Sequence, residues 1–270
     1  MEYRSLRYEV RDSVALITLA RERHLNALNS DMNRELPLVW RRFETDASAR
    51  VAVITGQGDK AFCVGADLTD LPKSDDDPNA GTLKSIRWSS QQNEVWKPVI
   101  AAVNGLTVGG GLHFVADADI VLASENATFF DTHAAVGFAS TLEPISLCRR
   151  MPIGAVLRMA LVGGSERLTA SEAFRLGLVD EVIAPDRLLD RAFALAGMIA
   201  QHSPSALART KKAVWLSQNM GLNDALEQGW RLILDQNGDA DAIEGPRAFR
   251  ERRRPQWRPY SASEHALAER

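Results

Sequence analysis

Lys97-Pro-Val-Ile-Ala-Ala-Val-Asn-Gly-Leu-Thr-Val-Gly-Gly-Gly111 decides how this chain folds. Val99–Val103 is a short apolar run beginning directly after Pro98, the pattern of a strand buried on both faces. A turn and the run Gly109–Gly111 then lead into a helix of small residues, LHFVADAD. Outward in both directions the same kind of unit returns. Val14–Leu19 and Val51–Thr55 read as buried strands before it, Ile120–Ala123 and Ala127–Phe130 as strands after it. Between the first two, Met32, Leu36, Val39 and Phe43 recur at helical spacing, with Ser30 as N-cap. Pro37 is expected to kink that helix or shift its start. The polar, acidic stretch Pro72–Gly81 reads as a mobile surface loop, followed by a helix over about Leu83–Trp96. Thr169-Ala-Ser-Glu172 is a capping box opening a short helix that Gly177 closes. From Asp186 onward the pattern is purely helical, with one helix to about Gln201, another opening at Ser203-Pro204, and two more. Strand–helix units followed by helices predict a parallel α/β core with a helical extension. Periodicity does not say which α/β fold this is.

Composition narrows the function classes. The chain has 270 residues, 45% hydrophobic and 25% charged, with net charge −3. That balance is ordinary for a soluble globular protein and creates no global field for nucleic acid or anionic membrane. The arginine-rich tail RERRRPQWR on a net-acidic chain is weak evidence for nucleic acid. Cys63 and Cys148 make no disulfide framework and no zinc-ligand spacing, so no metal is expected. The N-terminus carries no apolar signal segment, and no uncharged run reaches the roughly eighteen residues a membrane span needs. The expected location is the cytoplasm.

Several ordered segments resemble the crotonase (enoyl-CoA hydratase/isomerase) superfamily over roughly Val14 to Trp257. His24-Leu-Asn-Ala-Leu28 resembles its first CoA-binding segment. Ile54-Thr-Gly56 with Ala61-Phe-Cys-Val-Gly-Ala-Asp-Leu68 is similar to its first oxyanion segment, and Lys97–Gly105 with Gly109–Gly111 to its second. Leu168–Ala173, Gly177-Leu-Val and Gly245-Pro-Arg-Ala-Phe249 continue the match. The resemblance implies a spiral of ββα turns over residues 1–200 that binds acyl-CoA. It also implies a helical region over 201–270 that packs trimers, often paired into hexamers. No cofactor is implied beyond the CoA of the substrate itself.

An enolate or tetrahedral intermediate places negative charge on the thioester oxygen. Preorganised N–H donors stabilise that charge by about 3 kcal/mol each. Ala66, on a loop after a strand, and Gly110, at a helix N-terminus, are the expected donors. On the CoA side the resemblance points to Arg23, His24, Leu25, Ala61, Val64, Asp67 and Leu68, where basic residues suit phosphate. Phe249 and Arg252 match a C-terminal aromatic and basic pair that reaches an adenine.

One departure matters. The two positions where hydratases of this family carry glutamates are His113 and His133 here. The chain has only five histidines, so this placement is far from random. Two imidazoles can do acid/base work near neutrality. Asp131 precedes His133 by two residues; on a strand both would share a face and Asp131 could orient the ring. Glu143, ten residues past His133, is a third candidate, or else a carboxylate at a helix start beside Pro144. The reading is an acyl-CoA enzyme of hydratase/isomerase type using His113 and His133 for proton transfer. The alternatives are a C–C hydrolase of a β-diketone or cyclic β-keto acyl-CoA, and a non-catalytic acyl-CoA-binding subunit.

Overall fold

Each apolar run becomes a strand with a neighbour on the same sheet. The computed structural model describes residues 3–71 and 82–261, so the loop expected at Pro72–Gly81 lies outside the described residues. Strands β1 (Leu6–Arg11) and β2 (Val14–Leu19) form a hairpin. It turns at Asp12 and Ser13, whose φ values of 52° and 64° are those of a two-residue type I′ loop. From β2 the large sheet continues in parallel through β3 (Val51–Gly56), β5 (Val99–Val103), β7 (Ile120–Ser124) and β10 (Glu181–Ile183). Every residue of β3 and β5 is buried, which is why they read as uninterrupted apolar runs.

A smaller sheet has the order β4 (Ala61–Cys63), β6 (Leu106–Val108), β8 (Thr128–Phe130) and β9 (Leu168–Thr169). The chain passes from β3 to β4, from β5 to β6 and from β7 to β8. Each turn therefore adds one strand to either sheet and advances along both. This is the spiral of ββ turns that the resemblance implied. Pairing of β4 with β6 is irregular between Ala61 and Cys63.

Helix α1 (Ser30–Thr45) buries Met32, Leu36, Val39, Trp40 and Phe43 and runs on through Pro37. Its N-cap is Asn29 rather than Ser30. Asn29 Oδ1 accepts from Met32 N at 3.0 Å, while the Ser30 hydroxyl donates to Asp70 at 2.7 Å. Lys97 closes the other end: Nζ donates to the carbonyls of Phe43, Asp46 and Ala49 at 2.8–2.9 Å. Four more helices belong to the core: α2 (Leu112–Ala116), α3 (Leu142–Leu147), α4 (Ile153–Val162) and α5 (Ala170–Leu176). The expected capping box opens α5, and Gly177 ends it at φ 83°. Helix α6 (Leu188–Ile199) lies on the large sheet.

Then come α7 (Pro204–Ser217), α8 (Leu222–Gln236) and α9 (Ala240–Arg250). One carboxylate ties α7 to the core. Asp119 accepts from Val99 N and Trp215 Nε1 at 2.7 Å each, and from Lys211 Nζ at 2.8 Å. Helix α8 leaves Leu222, Leu226, Trp230 and Ile233 exposed.

The expected helix over Leu83–Trp96 does not form. The segment makes two single 3-10 turns, Leu83–Ser85 and Gln91–Asn93. Its polar side chains bond the local backbone instead. Asn93 Nδ2 donates to the carbonyls of Arg87 and Ser89, and Gln92 Oε1 accepts from Trp88 N and Ser89 N.

Candidate active site

The loop after β4 approaches the residues after β6 so closely that only glycine fits. A β-carbon on Gly65, whose φ is 83°, would stand 2.8 Å from Val108 O and 3.0 Å from Gly110 N. Next to it, Ala66 forms a parallel bridge with Leu28: Leu28 N donates to Gly65 O, and Asp67 N donates to Leu28 O, both at 2.8 Å. In such a bridge the central residue's own N–H points the other way. Gly110 lies in the turn Gly109–Gly111 that opens α2, where N–H groups have no intrahelical acceptor. Ala66 and Gly110 thus lie together on the wall of a cleft of about 590 Å³.

Val64, Leu68, Ile86 and Trp88 supply apolar lining on one side, and Val136 and Phe138 on the other. Trp88 is fixed at the base: its Nε1 donates to Asn33 Oδ1 and its carbonyl accepts from Trp40 Nε1, both at 2.7 Å.

His133 is the titratable side chain on the cleft wall among the described residues. Strand β8 ends at Phe130, so Asp131 and His133 do not share a strand face as the sequence suggested. A turn brings them together instead. Asp131 Oδ1 accepts from His133 N at 2.8 Å, and Oδ2 lies 3.0 Å from His133 Nδ1. Ser140 Oγ donates to the same carboxylate at 2.9 Å. On the far side, Glu143 Oε1 lies 3.9 Å from His133 Nε2 and 3.4 Å from His113 Nε2. The three sequence candidates therefore gather around one carboxylate oxygen. Their exposures differ: His133 is 28% exposed, Glu143 7% and His113 2% as side chains. His113 stands behind Glu143, with Gln92 on its other nitrogen at 3.2 Å.

Electrostatics follows the contacts. The hydrogen bond to Asp131 is the main influence raising the His133 pKa above that of a free imidazole; burial opposes it and Glu143 adds to it. Burial works to raise Glu143, but His113 and His133 outweigh it and leave the carboxyl below its usual range. Asp131 is lowered in the same way: burial is overcome by its bonds from His133 and Ser140.

The expected CoA residues divide. Val64 and Leu68 line the cleft. Ala61 is buried in β4, and its carbonyl accepts from Asn26 at 2.9 Å. Asp67 is also turned inward, accepting from Thr69 and from Arg21 Nη2 at 2.9 Å. The Thr69 hydroxyl first, and then Arg21, hold its pKa down at about 2. Arg23, His24 and Leu25 are exposed on a 3-10 turn, Glu22–His24, and its end. Phe249 and Arg252 are exposed at the end of α9 and do not line the cleft. Sequence reasoning missed Arg21, Trp88 and Gln92. The last two carry no motif, and their segment was read as a helix.

Known proteins similar to this chain in sequence and fold are numerous. (E)-benzylidenesuccinyl-CoA hydratase of Thauera aromatica is 36% identical over 254 residues, covering 93% of this chain and 97% of that protein. Carnitinyl-CoA dehydratase of Proteus mirabilis is 34% identical over 268 residues, covering 94% and 98%. The crystal structure of an enoyl-CoA hydratase/isomerase from Mycobacterium paratuberculosis superposes with a TM-score of 0.87 at 36% identity, covering 96% of this chain and all of that one. The family profile of enoyl-CoA hydratase/isomerase matches residues 9–259, and the chain belongs to that family.

Proposed function

We propose that this enzyme adds water reversibly to the double bond of a 2-enoyl-CoA, with His133 as the proton-transfer group. One observation carries the reading: Ala66, Gly110 and His133 line the same apolar cleft. The thioester oxygen sits on the two donors. Asp131 accepts a hydrogen bond from Nδ1–H of His133, which leaves a lone pair on Nε2. Nε2 accepts a proton from water as its oxygen bonds Cβ, and the enolate charge collects on the thioester oxygen. The imidazolium then returns the proton to Cα. The reverse order eliminates water. The hydratase and dehydratase relatives support this direction of chemistry.

The substrate's CoA enters along Arg23–Leu25 and the Ala61–Leu68 loop, with Phe249 and Arg252 reaching the adenine from a neighbouring subunit. Residues 1–200 form the binding core and 201–270 the region of assembly. Val214, Leu222, Leu226 and Trp230, exposed on α7 and α8, supply an apolar face for a trimer or a pair of trimers. Light scattering that gives a monomer at micromolar concentration would remove this assembly.

A panel of 2-enoyl- and 3-hydroxyacyl-CoA esters, assayed by mass, tests the reaction as gain or loss of one water. C–C hydrolysis is a second reading, favoured by the Asp131–His133 pair, which suits activation of water against a carbonyl. It would instead split a β-keto substrate into two products, one with a new carboxylate. Retention of acyl-CoA with no turnover across the panel would leave a binding subunit.

A further inference from the structure

Gln92 sits between two groups whose hydrogen-bonding character is fixed. On one side, the backbone N–H groups of Trp88 and Ser89 point at its amide, at 2.9 and 3.0 Å. These are donors and nothing else, so the atom between them is the carbonyl oxygen Oε1. Turning the amide over would lose both bonds and set N–H against N–H. The amide nitrogen Nε2 is therefore the atom 3.2 Å from His113 Nδ1. An amide nitrogen only donates, which makes Nδ1 an acceptor with no room for a proton. The ring proton of His113 must then be on Nε2, which faces Glu143 Oε1 at 3.4 Å.

We infer that Gln92 is a positioning residue: it fixes His113 as the Nε2–H tautomer, a donor to Glu143, and leaves His133 as the imidazole that accepts the reacting proton. The inference rests on the proposed reaction only for the identity of that proton. Direction runs one way through the cluster. Backbone N–H donates to Gln92, Gln92 to His113, and His113 to Glu143, whose carboxylate then faces His133 Nε2.

The charged groups around the two rings agree with this order. His133 meets Asp131 on its own segment and Glu143 from α3. His113 meets Glu143 from α3 and Gln92 and Trp88 from the preceding segment, the Trp88 ring lying edge-on at 5.5 Å. Asp117, at the end of the helix that carries His113, is held by the Ser89 hydroxyl and feels His113 ahead of Arg150 and Arg149.

Histidine labelled with ¹⁵N in the full-length protein reports the tautomer directly, with signals assigned by loss in His113→Gln and His133→Gln. The expected spectrum at neutral pH shows the His113 proton on Nε2. Gln92→Glu keeps the shape and an oxygen for Trp88 N and Ser89 N but offers Nδ1 an acceptor, so a proton should appear on Nδ1. A wild-type His113 protonated on Nδ1 overturns the inference, and so does a Gln92→Glu spectrum with Nδ1 still bare. If Gln92→Glu does not fold, the wild-type spectrum decides alone.

Turnover supplies a second reading. A glutamine at 113 places an N–H donor where Nε2 was, so His113→Gln should cost about tenfold in kcat, as for one weakened polar contact. His133→Gln cannot accept a proton and should lose about 10²–10⁴-fold. Equal losses at the two positions would overturn the assignment of His113 as a donor. Near-native kcat in His133→Gln would instead overturn the proposed reaction while leaving the tautomer assignment standing.

Discussion

Asp131→Asn changes one atom and should separate rate from pH dependence. Three donors meet this carboxylate: His133 N at 2.8 Å, His133 Nδ1 at 3.0 Å and Ser140 Oγ at 2.9 Å. An asparagine must keep its oxygen toward the backbone N–H, which can only donate. Its NH₂ then faces His133 Nδ1, where a lone pair is now required, and the ring proton moves to Nε2. The base is present but turned the wrong way. Loss of a positioned base costs about 10²–10⁴ in kcat. Affinity for acyl-CoA, measured by calorimetry, should hold, because neither oxyanion donor is touched.

The pH profile moves in a definite direction. Asp131 is the main influence raising the His133 pKa. A base must be unprotonated to act, so the wild-type kcat should fall on the acid side at a pH above the ordinary value for histidine. Without the carboxylate that limb shifts to lower pH even as the plateau drops. Near-native kcat in a folded Asp131→Asn, or a limb that moves up, would refute the role of the pair.

Three further outcomes are expected. Gly110→Pro should lower kcat by about 10²–10³, the loss of one oxyanion donor, with circular dichroism as the fold control; a β-carbon there already meets Trp88 at 3.0 Å, so an unchanged rate would remove Gly110 from the site. Asp119→Ala strands Trp215 Nε1 and Val99 N and leaves the Lys211 ammonium only the Lys97 carbonyl, and should destabilise the fold by about 3–5 kcal/mol in urea titration, the usual cost of breaking a buried pair. Asp67, held at about 2, contributes stability that is present above pH 4 and lost as pH falls toward 2. The difference in Tm between wild type and Asp67→Asn should therefore shrink over that interval, and a difference that grows would contradict the Arg21 and Thr69 contacts.

The core was legible because burial on both faces writes itself as unbroken apolar runs. β3 and β5 are such runs. In the small sheet β8 was read as Ala127–Phe130, but β4 and β6 were not: they hold three residues each, too few for a period to show. The β1 hairpin turned on Asp12-Ser13, a pair that lacks the glycine of the usual signal. At the site, Ala66, Gly110, His113, His133 and Glu143 were named because the segments that carry them resemble those of the family, in the same order. Gln92 and Trp88 could not be, since their role depends on polar side chains overriding helical propensity between Arg87 and Asn93. Asp131 was linked to His133 for the wrong reason, a strand where a turn does the work.

The two proposed oxyanion donors, Ala66 and Gly110, lie on successive turns of the spiral, and their spacing is set by how β4 lies on β6. This makes the site intolerant of changes in chain length at particular places. Adding one residue between Ala61 and Ala66, or between Leu106 and Gly110, would rotate a peptide plane and present a carbonyl where an N–H is needed. Negative would then face negative at the thioester oxygen. Widening the cleft for a bulkier acyl group would draw instead on Val136 and Phe138, which also line it and lie in neither of these two segments.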